Sequence, residues 1–125
     1  MKILTVEDND INAMLMDRLL EELNFSIEHT IAESATQALA KTDTIIYDLV
    51  LMDINLGDGQ MDGTEVLKIL RTKDGYKPIP IFAVTCYALP GDKERFLEMG
   101  FNEYVSKPID HDLLLSKIDK YQKAG

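Results

Sequence analysis

The chain carries a single cysteine, Cys86, in 125 residues. That excludes an internal disulfide and any cysteine-clustered metal site, and it suits a reducing compartment. Positive charge is scarce as well: Lys and Arg total 13 against 22 for Asp and Glu, a formal net charge of −9. Such a surface opposes phosphate backbones and anionic lipid, so neither nucleic acid nor a membrane surface is expected as a direct partner. Long hydrophobic runs are missing. The opening Met1-Lys2-Ile3-Leu4-Thr5-Val6 meets Glu7 and Asp8 before a signal-peptide core can form, and no later run approaches a membrane span. The expectation is a soluble, cytoplasmic protein. Low-complexity segments, repeats and Pro/Gly/Ser linkers are absent too, so residues 1–125 read as one domain, large enough to bury about two-thirds of its unfolded surface.

What is present is an alternation of two hydrophobic rhythms. Short apolar runs occur at Ile3 to Val6, around Ser26 to Ile31, at Leu49 to Met52, at Ile81 to Val84 and at Tyr104 to Val105. The third and fourth are uninterrupted by polar residues, as expected of central strands covered on both faces. Between them lie amphipathic stretches at Ile11 to Leu23, Ser34 to Ala40, Thr64 to Arg71, Gly91 to Met99 and Asp110 to Tyr121. Five strands alternating with five helices predict an α/β fold: a parallel sheet with right-handed crossovers and helices on both faces. Gly100 is placed to end the fourth helix, Pro80 to precede the fourth strand and Asp110 to cap the last helix.

In open sheets of this kind, ligands bind beyond the carboxyl ends of the strands. The residues there are Glu7 and Asp8 after the first strand, Asp53 after the third, Thr85 after the fourth and Lys107 after the fifth. Each alone has a plain explanation: an acidic pair caps a helix, Asp53 makes a turn, Thr85 ends a strand and Lys107-Pro108 is an exposed loop. Together on one edge they form a site. Three crowded carboxylates repel unless a cation neutralises them, and Mg²⁺ favours carboxylates, carbonyl oxygens and a phosphate oxygen. A lysine and a hydroxyl beside them suit an incoming phosphoryl group better than a second metal.

The segments Val6-Glu7-Asp8-Asn9, Leu51-Met52-Asp53-Ile54, Met61-Asp62-Gly63, Val84-Thr85, Leu89-Pro90-Gly91-Asp92 and Tyr104-Val105-Ser106-Lys107-Pro108 resemble the receiver domain of bacterial two-component response regulators along essentially the whole chain. Asn12, four residues after Asp8, is similar to receivers of hybrid sensor kinases and some stand-alone regulators. The resemblance implies a flavodoxin-like, doubly wound five-stranded sheet in the order 2-1-3-4-5. It implies Asp53 as phosphoacceptor, Glu7 and Asp8 as the acidic metal pair, and Asn55 as the donor of a backbone carbonyl to the metal. It also implies Thr85 as switch hydroxyl, Lys107 as phosphate contact, Tyr104 as the aromatic that turns on activation, and a cis Lys107-Pro108 bond. The cofactor implied is Mg²⁺, with Mn²⁺ able to substitute. The function implied is a signalling switch that takes a phosphoryl group from a histidine kinase or histidine phosphotransfer protein onto Asp53. It would then repack the face formed by the fourth helix, fifth strand and fifth helix toward a downstream protein target. Such a protein is no conventional enzyme, although it catalyses its own phosphorylation and dephosphorylation.

Helical spacing puts Leu15, Met16, Leu19, Leu20 and Leu23 on the core arc of the first helix and leaves Ile11 and Met14 on the polar arc, one turn beyond the acidic pair. A donor helix presenting a phosphohistidine would dock there. The chain departs from the family pattern after Asp53: the loop Asn55 to Gly63 is longer, richer in glycine and without proline, and its Asp58 is expected as a solvated turn carboxylate. Cys86 stands where a small alanine is usual and is expected as a tolerated buried thiol, Tyr87 flanks the line of hydrolytic attack, and His29 and His111 are expected away from the acidic edge. A Mg²⁺-dependent phosphatase using Asp53 is the competing enzyme reading, but Asn55 stands where its general acid would be and no cap domain encloses a substrate. A module that binds partners without phosphorylation would not need the intact acids, Thr85 and Lys107. With nothing left after the last helix for an output domain, the expectation is a stand-alone regulator or the receiver of a longer hybrid kinase.

Overall fold

Every strand pairs in parallel, and the sheet runs β2-β1-β3-β4-β5. The elements alternate along the chain as β1 (Lys2–Val6), α1 (Asp10–Leu20), β2 (Glu28–Ala32), α2 (Ala35–Thr44), β3 (Leu49–Asp53), α3 (Gly63–Leu70), β4 (Ile81–Thr85), α4 (Asp92–Met99), β5 (Glu103–Ser106) and α5 (His111–Lys120). This computed structural model describes residues 1–56, 61–86 and 89–122. Asp58 and Tyr87 lie outside the described residues.

Side chains alternate across a strand, so each buried strand feeds two cores. One face of the sheet, with Leu4, Val6, Val50, Met52, Ile81 and Ala83, packs on α2, α3 and α4 through residues such as Ala38, Val66, Leu70 and Phe96. The other face, with Ile3, Leu49, Leu51, Phe82, Val84 and Val105, packs on α1 and α5 through Met16, Leu19, Leu20, Leu114 and Ile118. All five residues of β3 and of β4 are buried, which is why those two segments are apolar without alternation. The doubly wound order 2-1-3-4-5 is thus the observed one.

Boundaries follow local hydrogen bonding. Asn9 accepts from the Asn12 amide at 2.9 Å and caps α1, while Asp62 caps α3 and Asp110 caps α5. Gly100 ends α4 at φ 118°, a conformation glycine adopts freely. The sequence pattern carries α1 on to Leu23, but the amides of Glu21, Glu22 and Leu23 bond three residues back, a tightening turn that closes the helix at Leu20. Leu15 is a correction: it is 58% exposed, and Ala13 takes the core position instead. The buried ridge runs through 13, 16, 19 and 20, which leaves Leu15 at its margin beside α5, while Leu23 packs half-buried against the same core. Helix α2 runs four residues past its predicted end, to Thr44, and the Thr42 and Thr44 hydroxyls donate back to the Ala38 and Lys41 carbonyls within it.

The far end of the sheet is tied by Arg71 at the C-terminus of α3. Its guanidinium donates to the carbonyls of Tyr76 at 2.9 Å, Ile79 at 2.7 Å and Gly100 at 2.9 Å, and to the Asn102 side chain at 2.8 Å. Asn102 in turn accepts from the first amide of β4 at 2.8 Å. Replacing Arg71 with Met removes the bonds to the three carbonyls, while Asn102 keeps the one from Ile81. We expect a loss of about 2–3 kcal/mol in urea unfolding, the cost of charge-assisted hydrogen bonds removed from one side. A loss under about 0.5 kcal/mol would mean that the hub carries no weight.

Candidate functional site: an acidic pit at the carboxyl edge of the sheet

Parallel strands deliver their carboxyl ends to one edge, and the expected acids meet there. Oxygen atoms of Glu7, Asp8 and Asp53 all lie within 4.8 Å of one another. Glu7 and Asp53 are buried, whereas Asp8 is exposed. Asp53 and Thr85 are the last residues of β3 and β4 and not the first after them, so the sheet itself fixes their backbones. Lys107 follows β5, and its amide donates to the Thr85 carbonyl at 2.8 Å. The Lys107-Pro108 peptide is cis.

Lys107 is the counter-charge. Its ammonium donates to Glu7 Oε1 at 2.8 Å and lies 3.5 Å from Asp53 Oδ2. Burial opposes its charge, but the Glu7 and Asp53 carboxylates outweigh that and raise its pKa. Burial and the adjacent Glu7 carboxyl push Asp53 up to about 7, although Lys107 and the Asn55 amide, which donates to Oδ1 at 3.3 Å, pull the other way. Burial also works against ionised Glu7, yet the bonds from Lys107 and from Asp53 hold it below the usual carboxylate range. The two acids therefore differ: the contact with Lys107 favours ionised Glu7, while burial beside Glu7 makes Asp53 the harder of the two to ionise.

The surrounding residues explain how this crowding is tolerated. A side chain at Gly63 would place its Cβ 2.5 Å from the Asp53 carbonyl and 2.9 Å from Met52 Cγ, so only glycine lets α3 start against the end of β3. Asp92, buried at the start of α4, accepts from the Leu89 amide at 3.1 Å and from Arg95 at 3.0 Å, and so ties Leu89 to the start of α4. Neither role is assigned by the sequence pattern, although the Asp62-Gly63 pair and the Asp92/Arg95 spacing carry the signal. Tyr104 stacks on Phe96 with ring centroids 5.9 Å apart and planes 16° apart. Asn55 is exposed beside Asp53.

Two expectations require correction. Cys86 is exposed, because the chain leaves the sheet immediately after Thr85 and the next side chain points away from both cores. His111 is not remote from the acids: it shares a groove of about 430 Å³ between α1 and the start of α5 with Glu7, Leu15, Lys107, Pro108 and Ile109. His29 lies on β2 and bonds to Thr5 and Asp17. Ile11 is 67% exposed and Met14 55% exposed, both on the outer side of α1 as expected.

An all-oxygen donor set of three converging carboxylates suits a hard divalent ion such as Mg²⁺ or Mn²⁺. Without metal, an Asp53 pKa raised above its unfolded value means the folded state binds the extra proton, so stability falls as pH rises from about 4 through about 7. Asp53→Asn removes that loss. In chelator, its melting temperature should exceed the unsubstituted protein's by more at about pH 8 than at about pH 5, and a gap independent of pH would contradict the raised pKa.

Comparison with known proteins agrees with this geometry. The family model for the response regulator receiver domain matches residues 3–119. The chain is 40% identical over 124 residues to hybrid signal transduction histidine kinase I of Dictyostelium discoideum, covering 94% of this chain but 7% of that protein. It is 32% identical to the histidine-protein kinase BarA of Escherichia coli, covering 98% of this chain and 13% of BarA. Against the polar-differentiation response regulator DivK of Brucella anthropi it is 35% identical, covering 95% of this chain and 94% of that one. The chain thus spans a small fraction of the hybrid kinases and nearly all of DivK. Among solved structures, the receiver domain of sensor histidine kinase PA1611 from Pseudomonas aeruginosa, described with magnesium coordinated in its active-site cleft, superposes with a TM-score of 0.83 at 31% identity, covering 96% of this chain and 95% of that one. With its sheet order, its acidic pit and these matches in agreement, the chain belongs to the receiver domain family of two-component response regulators.

Proposed function

We propose that residues 1–125 form a phosphorylation-dependent signalling switch in which Asp53 accepts a phosphoryl group from a phosphohistidine on a histidine kinase or histidine phosphotransfer protein. The observation that carries this reading is the convergence of Glu7, Asp8 and Asp53 within 4.8 Å, with Lys107 placed between two of them. A carboxylate oxygen of Asp53 forms a bond to phosphorus as the phosphorus–nitrogen bond to the donor histidine breaks. Glu7, Asp8, Asp53 and the Asn55 carbonyl would hold Mg²⁺ or Mn²⁺, which neutralises charge on the transferring oxygens when bound. Lys107 has a flexible stem and lies 3.5 Å from Asp53, so its ammonium can follow the growing charge on the phosphoryl group.

The acyl phosphate places nearly two negative charges where Asp53 carried one at most, and it attracts the buried Thr85 hydroxyl as a donor. Movement of Thr85 opens space into which Tyr104 can turn, breaking its stack on Phe96 and repacking the α4/β5/α5 face for a downstream protein target. Converting a mostly inactive population to a mostly active one takes roughly 5 kcal/mol of differential stabilisation, within reach of several charge-assisted bonds. Hydrolysis of the same acyl phosphate resets the switch. Ile11 and Met14 supply the exposed apolar contact for the donor, and Leu15 extends it into the groove that reaches Glu7 and Lys107.

Incubation with Mg²⁺ and acetyl phosphate should add one phosphoryl group to the intact mass and none to Asp53→Asn. Labelling that survives in Asp53→Asn, or continuous phosphate release from unrelated esters, would contradict the switch. Ile11→Asp or Met14→Asp should slow transfer from a phosphohistidine protein by about tenfold while acetyl phosphate labelling is unchanged, the signature of a lost apolar contact. Equal losses with both donors would remove the docking role.

A further inference from the structure

The switch chemistry makes no use of a buried polar chain on the α1 side of the sheet. Thr5 on β1 is 3% exposed, and its hydroxyl lies 2.6 Å from Nε2 of His29 on β2. The other ring nitrogen, Nδ1, lies 2.8 Å from Oδ1 of Asp17 on α1, and the His29 side chain is 5% exposed. Three elements are therefore linked through one buried ring. An ionised carboxylate only accepts, so Nδ1 carries the proton. In the neutral ring Nε2 is then the acceptor, and the Thr5 hydroxyl donates to it.

This chain joins two parts of the phosphoryl-receiving apparatus. Thr5 stands two residues before Glu7 on the strand whose end presents the acids, and Asp17 is one turn beyond Ala13 and Met14 on the helix that carries the exposed apolar residues. β2 is the edge strand on that side of the sheet, and the chain reaches it from α1. Around the ring, α1 contributes the carboxylates of Asp17 and Glu21, β1 contributes Thr5 and the register neighbour Ile3, and the segment before β2 contributes Phe25 and Ile27. Asp17 is the acid bonded to the ring, and Glu21 lines the same surface pocket.

We infer that His29 is a positioning residue: the Thr5–His29–Asp17 chain sets how α1 is held against the β1 end, and with it how the docking helix is presented to a protein phosphodonor. The positioning role rests on the reading of α1 as the docking helix. Protonation of the ring moves the chain toward the helix, since both nitrogens then donate. The bond to Asp17 becomes charge-assisted, and Thr5 changes from donor to acceptor. The hold on α1 tightens as the ring gains charge.

Two substitutions separate positioning from bulk. Glutamine offers one donor and one acceptor with spacing like that of the two ring nitrogens and does not titrate, so His29→Gln keeps the chain; His29→Leu removes it. Hydrogen exchange followed by NMR on the full chain should show α1 amides of His29→Leu losing about tenfold in protection, while sheet amides keep theirs. His29→Gln should restore wild-type protection near neutral pH. In the wild-type protein, α1 protection corrected for intrinsic rates should rise as the imidazole ¹⁵N shifts report protonation, and in His29→Gln it should not. Unchanged α1 protection in His29→Leu, a uniform loss across the sheet, or wild-type protection indifferent to the ring's titration would overturn the inference. Acetyl phosphate labelling runs in parallel and is expected to be equal in all three proteins. A wild-type chain that fails to label sinks the switch reading and leaves the exchange result standing on its own.

Discussion

Like charges gathered at one edge of a low-dielectric sheet repel, and the ammonium of Lys107 lets them coexist. It sits 2.8 Å from Glu7 and 3.5 Å from Asp53, bridging two acids of which Asp53 is the harder to ionise. This balance makes the edge receptive. Glu7, Asp8 and Asp53 are the residues that would hold a divalent cation, and Lys107 is the one that would meet a phosphoryl group on Asp53. A site built from acids alone would resist folding, and one with its acids fully neutralised would have no need of a divalent ion.

The rest of the fold serves that edge. Central strands buried on both faces hold Asp53 and Thr85 in register, since the strands end on those residues. Gly63 lets α3 begin where any side chain would strike the Asp53 carbonyl. Asn9, and not the acids before it, caps α1, and Asp92 ties Leu89 to the start of α4. Away from the site, Arg71 gathers the loops at the opposite end of the sheet. The stable end is bound by a dense set of polar bonds, while the functional end keeps repelling charges within reach of one another.

Much of this was legible from the chain. Unbroken apolar runs at Leu49 to Met52 and Ile81 to Val84 announced strands covered on both faces, and the acids, hydroxyl and lysine stood at strand ends that a parallel sheet must bring together. What was not legible depended on three-dimensional neighbours. Leu15 has the composition of a core residue, but the packing angle of α1 decides its exposure. Cys86 looked buried by analogy of size, yet its exposure depends on where β4 stops. His29 carries no local signal at all, because Thr5 and Asp17 reach it from other elements. The resting partnership of Lys107 with Glu7 follows from distances between residues a hundred positions apart.

The central claim is that the three carboxylates form a single cation pocket. Anomalous diffraction from crystals grown with Mn²⁺ tests it most directly. One strong peak is expected in contact with the carboxylates of Asp8 and Asp53. A Mn²⁺ peak on other acids with this edge vacant, or the Asp53 carboxylate turned away from Glu7 and Asp8, would contradict it.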